Sequence, residues 1–377
     1  MAFTFVEIEE RKARTLALLF AFLVVLYLMS FFVLVVGVRS LVGLPAGLSI
    51  GQALLVLGLA VGTAALHWMS ATHHLIDRVL TAVLARPIDP NDTYHTRLQH
   101  IIEEVMVATG GRHRIEPYVI STPAMNACAV ADFNGRSAIA VTEGLLARLN
   151  RAQLESVIGH EAAHIARGDS LSNSVFCGLF ALHEETLKRL SGLFSADSDL
   201  DVLRGRGVAL VVFVVAVLWI TTTAKRLCEA LISRTQEYRA DAVAVRLARN
   251  PLALAEALRA ISKHWRGVGA EGESLSTIFI VDPGAEYLSE REGLAAELFS
   301  THPPTEQRIA ALLGMTHVTP EEFERAMSVP RRTRKQLLQH LDARPRDPSS
   351  PASWLVWSEG AWKGPLDLEE LMRVADV

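Results

Sequence analysis

The sequence predicts a mainly α-helical membrane protein that carries an α+β domain with a small sheet and a small module at its C-terminus. Three observations predict this fold class. Two long apolar runs stand near the N-terminus, helical and β-like stretches alternate after them, and a linker rich in Arg, Pro, Asp and Ser precedes the tail. The 377 residues are 50% apolar and 21% charged, so the apolar excess is concentrated in segments.

Two apolar runs near the N-terminus predict a pair of transmembrane helices. Residues 16–38 are almost unbroken Leu, Val, Phe and Ala, and residues 48–68 form a second apolar run. At about 1.5 Å rise per residue, the roughly 23 residues of the first run span a hydrocarbon core of about 30 Å. Because few residues separate the runs, we assign residues 1–86 to a transmembrane helical hairpin region.

The cations that flank the two runs predict the orientation of the hairpin. Arg11 and Lys12 precede the first run, Arg78 and Arg86 follow the second, and only Arg39 lies between them. Because cytoplasmic flanks carry an excess of Lys and Arg, both ends of the hairpin are expected in the cytoplasm. The chain is thus predicted to be a multi-pass protein of the cell inner membrane whose following domain faces the cytoplasm.

Net charge argues against nucleic-acid binding, and the spacing of the cysteines argues against disulfides and a thiolate zinc site. The net charge is −4, whereas nucleic-acid-binding domains carry a basic patch or a high pI, so no nucleic-acid partner is expected. Cys128, Cys177 and Cys228 stand far apart and never in a CxxC spacing. Neither a disulfide framework nor a thiolate zinc site is therefore predicted.

Residues 87–330 are predicted to form one α+β domain. Some of its stretches show apolar residues at helical spacing, and others are short β-like runs bounded by turn residues. We expect a small sheet beside helices, with one helix stopping at Gly168 and Asp169. The predicted helices span residues 97–109, 152–167 and 236–258, and the predicted strands span residues 117–121 and 137–142.

An apolar segment at residues 171–224 leaves the topology of this domain open. Its run at 208–224 is about 17 residues long, which is the lower limit for crossing a bilayer. If the segments on either side of this run meet in one site, the chain between them crosses the membrane twice or not at all. A loose membrane hairpin and a buried or in-plane helix both stay open.

The sequence His160-Glu161-Ala162-Ala163-His164 is an H-E-x-x-H pattern on a predicted helix. Residues four apart lie one turn apart on one helix face, so both imidazoles can bind the same zinc ion. Glu161 projects beside them, where it can accept a proton from a zinc-activated water and deliver it to the leaving amine. The pattern predicts hydrolysis, with Glu161 as general base.

Catalytic zinc sites usually have three protein ligands, so a third ligand must lie elsewhere. No histidine occurs in the residues directly after His164, and the alternative is a glutamate on a later helix. Glu237 provides one, and Asp241 follows one turn later on the same face. Asp241 can then accept a hydrogen bond from a ligand imidazole, and we count it with Glu161 among the expected catalytic residues.

Together these motifs resemble the HtpX-like and CAAX-prenyl-protease-type membrane gluzincins over roughly residues 90–315. Members of that family carry HExxH on one helix, a Glu ligand in a downstream E-x-x-x-D helix, and transmembrane segments. Two further stretches look like family features, namely residues 126–129 followed by 141–146, and residues 301–309. The resemblance implies a zincin-type metallopeptidase domain with one zinc ion per chain, cutting proteins or peptides at or near the membrane.

The resemblance also implies roles for three residues around the ligands and the substrate. Asn126 is expected at the edge of the sheet, where an extended substrate can add as a strand. His302 and Arg308 are expected near the cleft, where Arg308 positions Asp241 or stabilises the oxyanion. Packing of a loop around a Pro-Pro turn is the alternative role for His302 and Arg308.

A linker at residues 331–352 and a small module at residues 353–377 complete the predicted domain organisation. The Trp-rich tail resembles the GYF-type modules of bacterial proteins, in which aromatic side chains hold a Pro-rich or extended ligand. A protein ligand of the tail is therefore one expected partner. A mini-domain core packed on the catalytic unit explains the three tail tryptophans equally well.

The function predicted from the sequence is a membrane-bound zinc endopeptidase that hydrolyses peptide bonds of membrane or misfolded proteins. Its expected partners are protein or peptide substrates and the lipid bilayer. A catalytically silent membrane adaptor that retains the fold is the alternative. A zinc hydrolase acting on a non-peptide substrate also stays open, because the motif specifies water activation and leaves the substrate unspecified.

Overall fold

The computed structural model describes residues 5–45, 47–111, 113–180, 234–264, 278–280, 303–328, 354–358 and 361–366. These residues belong to two compact units. The first unit contains the N-terminal apolar helices up to Leu75 together with residues 175–180, and the second contains the other described residues. The predictions for the apolar run 208–224, the linker 331–352 and His302 lie outside the described residues, and the predicted domain boundaries stay predictions.

Two long helices form the first unit, as the apolar runs predict. Helices α1 (Phe5–Leu41) and α2 (Ile50–Thr72) pack against each other, and each contains a candidate membrane span. Helix α1 extends beyond its apolar run at both ends and α2 extends beyond its run at the C-terminal end, because a helix does not have to stop where the apolar stretch stops. Large apolar side chains such as Leu55 and Leu66 are 64% and 69% exposed, which suits a hydrocarbon environment.

A four-stranded mixed sheet in the second unit has the order β1-β2-β4-β3. β2 and β4 are parallel, whereas β1 and β3 lie antiparallel at the two edges. The two predicted strands correspond to β2 and β4. β1 and β3 were not predicted, because β1 is only three residues long and every residue of β3 is buried, so neither strand alternates. The strands are β1 (Ala85–Pro87), β2 (Arg114–Ile120), β3 (Ala127–Ala131) and β4 (Arg136–Thr142).

A close approach between two segments of the backbone explains why residue 144 is a glycine. Gly144 lies where a Cβ atom would stand 1.9 Å from the Pro123 carbonyl oxygen. No side chain fits there, so glycine is required for the chain entering β3 to pass the helix that follows β4. This packing fixes the start of edge strand β3 relative to the sheet.

Helix α6 (Arg151–Ala166) is the central helix of the second unit and agrees with the predicted helix 152–167. It begins with a capping box in which Asn150 and Gln153 exchange backbone-to-side-chain hydrogen bonds of 2.9 and 3.0 Å. From Gln153 to Ile165 every residue except Glu155 is buried. The helix therefore places its polar side chains inside the unit, between neighbouring helices and β3.

The remaining helices surround α6, and one prediction about them was wrong. The helix expected over residues 236–258 is two helices, because Arg249 adopts a positive φ of 51° and Pro251 starts a new helix. The side chain of Asn250 caps this new helix by accepting a hydrogen bond from the Ala253 amide. The helices are α3 (Leu75–Ala82), α4 (Thr93–Ala108), α5 (Glu143–Arg148), α7 (residues 169–180), α8 (Arg234–Ala248), α9 (Pro251–His264), α10 (Thr305–Leu313) and α11 (Pro320–Ser328).

The tail contains an antiparallel hairpin of β5 (Trp354–Ser358) and β6 (Ala361–Leu366). Trp357 pairs with Trp362 across the two strands. The likeness to a GYF-type module and its protein ligand stay predictions.

Candidate metal centre

Helix α6 brings the two histidines of the H-E-x-x-H pattern together. His160 and His164 lie one turn apart, and their Nε2 atoms are 3.2 Å from each other. Both rings are buried, with His160 only 1% exposed. The spacing therefore aims two imidazole nitrogens at one point inside the second unit, as the sequence predicts.

Helix α8 contributes the third side chain at this point. One carboxylate oxygen of Glu237 lies 3.5 Å from the Nε2 atom of His160, and the other lies 3.4 Å from the Nε2 atom of His164. Glu237 is buried, and α8 packs directly against α6. Among the residues that the structure describes, these three form the sole group of His, Cys, Asp or Glu side chains arranged to hold a metal ion.

The separations of the donor atoms suit a tetrahedral zinc ion. With metal–ligand distances of about 2.0–2.1 Å, tetrahedral ligand atoms lie about 3.3–3.4 Å apart. The two Nε2 atoms are 3.2 Å apart, and the two oxygens of Glu237 lie 3.4 and 3.5 Å from the imidazole that each of them faces. Two imidazoles and one carboxylate are also a donor set that zinc uses in hydrolases. The geometry and the chemistry of the donors thus both suit this metal.

A buried network of charged side chains contacts the ring of His160 through its Nδ1 atom. The Nδ1 atom of His160 lies 2.9 Å from Asp241 Oδ1, so the ring can donate to the carboxylate. Arg308 donates to both oxygens of Asp241 at 2.9 and 2.7 Å, and its Nη1 atom lies 3.2 Å from Glu237. Of the two roles expected for Arg308, the contact with Asp241 is therefore present.

The network shifts the pKa values of its members. Burial would raise the pKa of Asp241, but the charge of Arg308 and the hydrogen bond from His160 hold this pKa at about 2. Burial would lower the pKa of His160, yet its hydrogen bonds to Asp241 and Glu237 raise this pKa to about 9. Asp241 is consequently ionised over the whole neutral range.

Asp169 is a residue of this site that the sequence interpretation missed. Its Oδ2 atom lies 3.6 Å from the Nδ1 atom of His164 and 3.1 Å from Arg167 Nε. The His164 Nδ1 atom is buried and makes no hydrogen bond among the described residues. The Asp169 carboxylate is the group placed to accept its proton. The positive φ of Gly168, 75°, turns the chain back at this point. The sequence signal that could have indicated this contact was an acidic residue directly after Gly168, a few residues beyond the H-E-x-x-H motif.

Glu161 lines the same cleft as the three candidate metal ligands. Its side chain is buried, and β3 contributes Ala129 to the same cleft. Asn126 is buried at the start of β3, where its side-chain oxygen accepts a 3.0 Å hydrogen bond from the Ala127 amide. The expected position of Asn126 at the sheet edge agrees with this placement.

Comparison with known proteins identifies the family. The profile of peptidase family M48 matches residues 93–316, which is more than half of the chain. The chain belongs to peptidase family M48. A protease HtpX homolog of Lactobacillus helveticus is 36% identical over 226 residues, 58% of this chain and 73% of the relative. Another from Caldanaerobacter subterraneus subsp. tengcongensis is 31% identical, covering 69% and 85%, and one from Streptococcus pneumoniae is 29% identical, covering 82% and 99%.

Membership of family M48 confirms the predicted resemblance and fold class. The M48 chain is a metallopeptidase, because both the family profile and the relatives are peptidases. With two apolar helices long enough to span a bilayer, it is a membrane metallopeptidase. The profile covers α4 to α10, so the M48 region includes all three side chains of the metal centre.

Proposed function

We propose that this M48 peptidase is a zinc-dependent endopeptidase that cleaves membrane or misfolded proteins. His160, His164 and Glu237 hold one zinc ion per chain. The observation that carries the proposal is the convergence of three buried side chains, in which the two Nε2 atoms are 3.2 Å apart and each lies 3.4–3.5 Å from one oxygen of Glu237. Zinc bound there supplies a Lewis acid that lowers the pKa of a water molecule and polarises the scissile carbonyl.

Glu161 moves the protons of the reaction. Glu161 comes directly after His160 on α6, and both residues line the same cleft. It accepts a proton from the attacking water and delivers it to the nitrogen of the leaving amine. Because the cleft is lined by buried groups, the carboxylate acts where few solvent molecules compete for the proton.

Asp241 and Arg308 orient His160. The carboxylate of Asp241 accepts the Nδ1 proton of His160, which leaves the Nε2 lone pair for the metal and makes the ring a better ligand. Arg308 keeps Asp241 ionised by its bidentate contact. Both residues act through the ligand, so their effect on catalysis is indirect.

Asp169 is proposed to play the same part for His164, and Asp169→Asn tests it. Losing such a partner lowers zinc affinity about 10–100-fold. The melting temperature of the metal-free protein is measured as well, because Asp169→Asn also weakens the ion pair with Arg167. Zinc affinity is measured by competition with a chromogenic chelator. Asp77→Asn, which alters an exposed partner of Arg136, is the control. Unchanged affinity in Asp169→Asn would remove Asp169 from the site.

Zinc removal and a ligand variant test the proposed function itself. The detergent-purified protein should stop cleaving casein after chelation and should regain cleavage on addition of zinc. Glu237→Gln replaces a charged ligand by a neutral amide and should weaken zinc binding by more than the roughly 10–100-fold typical of an outer partner. Glu155→Gln, at a partly buried position of α6 away from the candidate ligands, should bind zinc normally. Normal zinc content in Glu237→Gln would refute its role.

The proposed location is the inner membrane, with several spans and the catalytic domain in the cytoplasm. The flanking cations support this orientation. In a cysteine-free background, Gly47→Cys should react with a membrane-impermeant maleimide on intact spheroplasts, since space around Gly47 is open. Asn134→Cys, in an exposed turn, should react only after permeabilisation. The reverse labelling pattern would invert the proposed topology.

A further inference from the structure

A short segment of the chain lies along the outer edge of β3. Phe279 forms an isolated antiparallel bridge with Cys128, and the amide of Ile280 donates a 3.0 Å hydrogen bond to the Ala127 carbonyl. β3 is the last strand of the sheet in this direction. Residues 278–280 therefore extend the sheet by a short piece of additional strand.

The same segment is packed tightly and lines the metal cleft. Ile278, Phe279 and Ile280 are 6%, 1% and 2% exposed, and Ile280 belongs to the main apolar core. All three residues line the cleft that contains His160 and Glu161. The segment is thus fixed by apolar burial at the place where a peptide would have to approach the metal.

Substrate binding by strand addition needs outward backbone groups of β3 that are already hydrogen-bonded, one of them to Ile280. Alternate residues of an edge strand direct their N–H and C=O groups outward. The Ala127 carbonyl is bonded to Ile280, the Ala127 amide to the Asn126 side chain at 3.0 Å, and the Ala131 amide to Ser174 Oγ at 3.2 Å. One edge cannot pair with two strands at the same position.

We propose that residues 278–280 are a self-inhibitory strand that holds the position of the substrate on β3. Cleavage then requires the segment to leave the edge, and an incoming extended peptide takes its place by antiparallel pairing. The inference rests on the proposed function, since it supposes that substrates bind along β3. It predicts that the resting enzyme is largely closed and that unfolded, extended chains open it.

A reversible disulfide can hold the segment in place. Ile280 is bonded to the residue before Cys128, so Cys128 and Phe279 form a non-hydrogen-bonded pair, in which Cα atoms lie about 4.5 Å apart. This spacing suits a disulfide. Phe279→Cys, in full-length zinc-loaded protein with Cys177 and Cys228 replaced by Ala, should close a bond to Cys128 on oxidation and open it again with a phosphine reductant.

The oxidised variant should lose casein cleavage to the level of Glu161→Gln, and reduction should restore it. Phe279→Cys combined with Cys128→Ala should cleave casein at the same rate before and after the oxidising treatment, whatever its basal rate, and so controls for oxidation elsewhere. Equal cleavage by the oxidised and reduced forms would overturn the proposal, because the segment would then stay on β3 during catalysis.

A labelling measurement separates failure of this inference from failure of the proposed function. In Glu161→Gln carrying Phe279→Cys and Cys128→Ala, the introduced thiol should be buried and should react slowly with a maleimide. Saturating casein should speed this reaction about tenfold or more, because binding shifts the population towards the open state. An unchanged or slower rate would overturn the self-inhibitory strand even if the wild type proves to be an active zinc peptidase.

Discussion

Replacing Glu161 by Gln is expected to abolish proteolysis while zinc content stays at one ion per chain. The amide has the shape of the carboxylate but cannot accept the proton of the attacking water. Loss of general base catalysis costs about 10²–10⁴-fold in rate. The measurement is the initial rate of casein cleavage in detergent, together with the zinc content of the same preparation by atomic emission.

The control for this substitution lies on the same helix. Glu155→Gln makes the same chemical change six residues earlier on α6, and Glu155 is the position between Gln153 and Ile165 that is not buried. Its cleavage rate should equal that of the wild type. Equal cleavage by Glu161→Gln and the wild type would refute the general base, and zinc loss in Glu161→Gln would mean that the residue also shapes the metal site.

Replacing Arg308 by Met is expected to produce the largest loss of stability. Arg308 is 1% exposed and contacts the buried carboxylates of Asp241 and Glu237. Breaking a buried ion pair leaves an uncompensated charge and costs about 3–5 kcal/mol of unfolding free energy. At about 2–4 °C per kcal/mol, the apparent melting temperature of the metal-free protein should fall by roughly 6–20 °C.

Two further variants separate the buried charge from general effects of losing an arginine. Arg259→Met removes an arginine that pairs with Glu306 and Glu324, whose side chains are 63% and 48% exposed. Such pairs are worth about 0–1 kcal/mol, so a small shift is expected. Arg308→Lys keeps the charge but loses the bidentate contact with Asp241, and should give an intermediate shift. Equal shifts in Arg308→Met and Arg259→Met would contradict the account.

Local spacing explains why part of the site could be predicted from sequence. His160, Glu161 and His164 follow from helix periodicity alone, because residues four apart must share a face. Glu237 required knowledge of the family, since nothing in the local sequence indicates that α8 crosses α6. The structure brings Glu237 within 3.5 Å of both imidazoles, so the expected ligand set is geometrically sound.

Other features depended on tertiary structure and were missed for physical reasons. β3 is buried along its whole length, so its residues lack the alternation that marks a half-buried strand. The break between α8 and α9 has a local signal, Asn250 followed by Pro251, but the apolar pattern continues across it. Asp169 reaches His164 only because Gly168 reverses the chain, and a helix stop alone did not indicate this contact.

Diffraction at the zinc absorption edge from crystals of the zinc-loaded protein locates the metal and its ligands. One anomalous peak per chain is expected, about 2.0–2.2 Å from the Nε2 atoms of His160 and His164 and from a carboxylate oxygen of Glu237. A peak elsewhere in the chain, or a zinc ion at His160 and His164 without Glu237, would contradict the proposed metal centre.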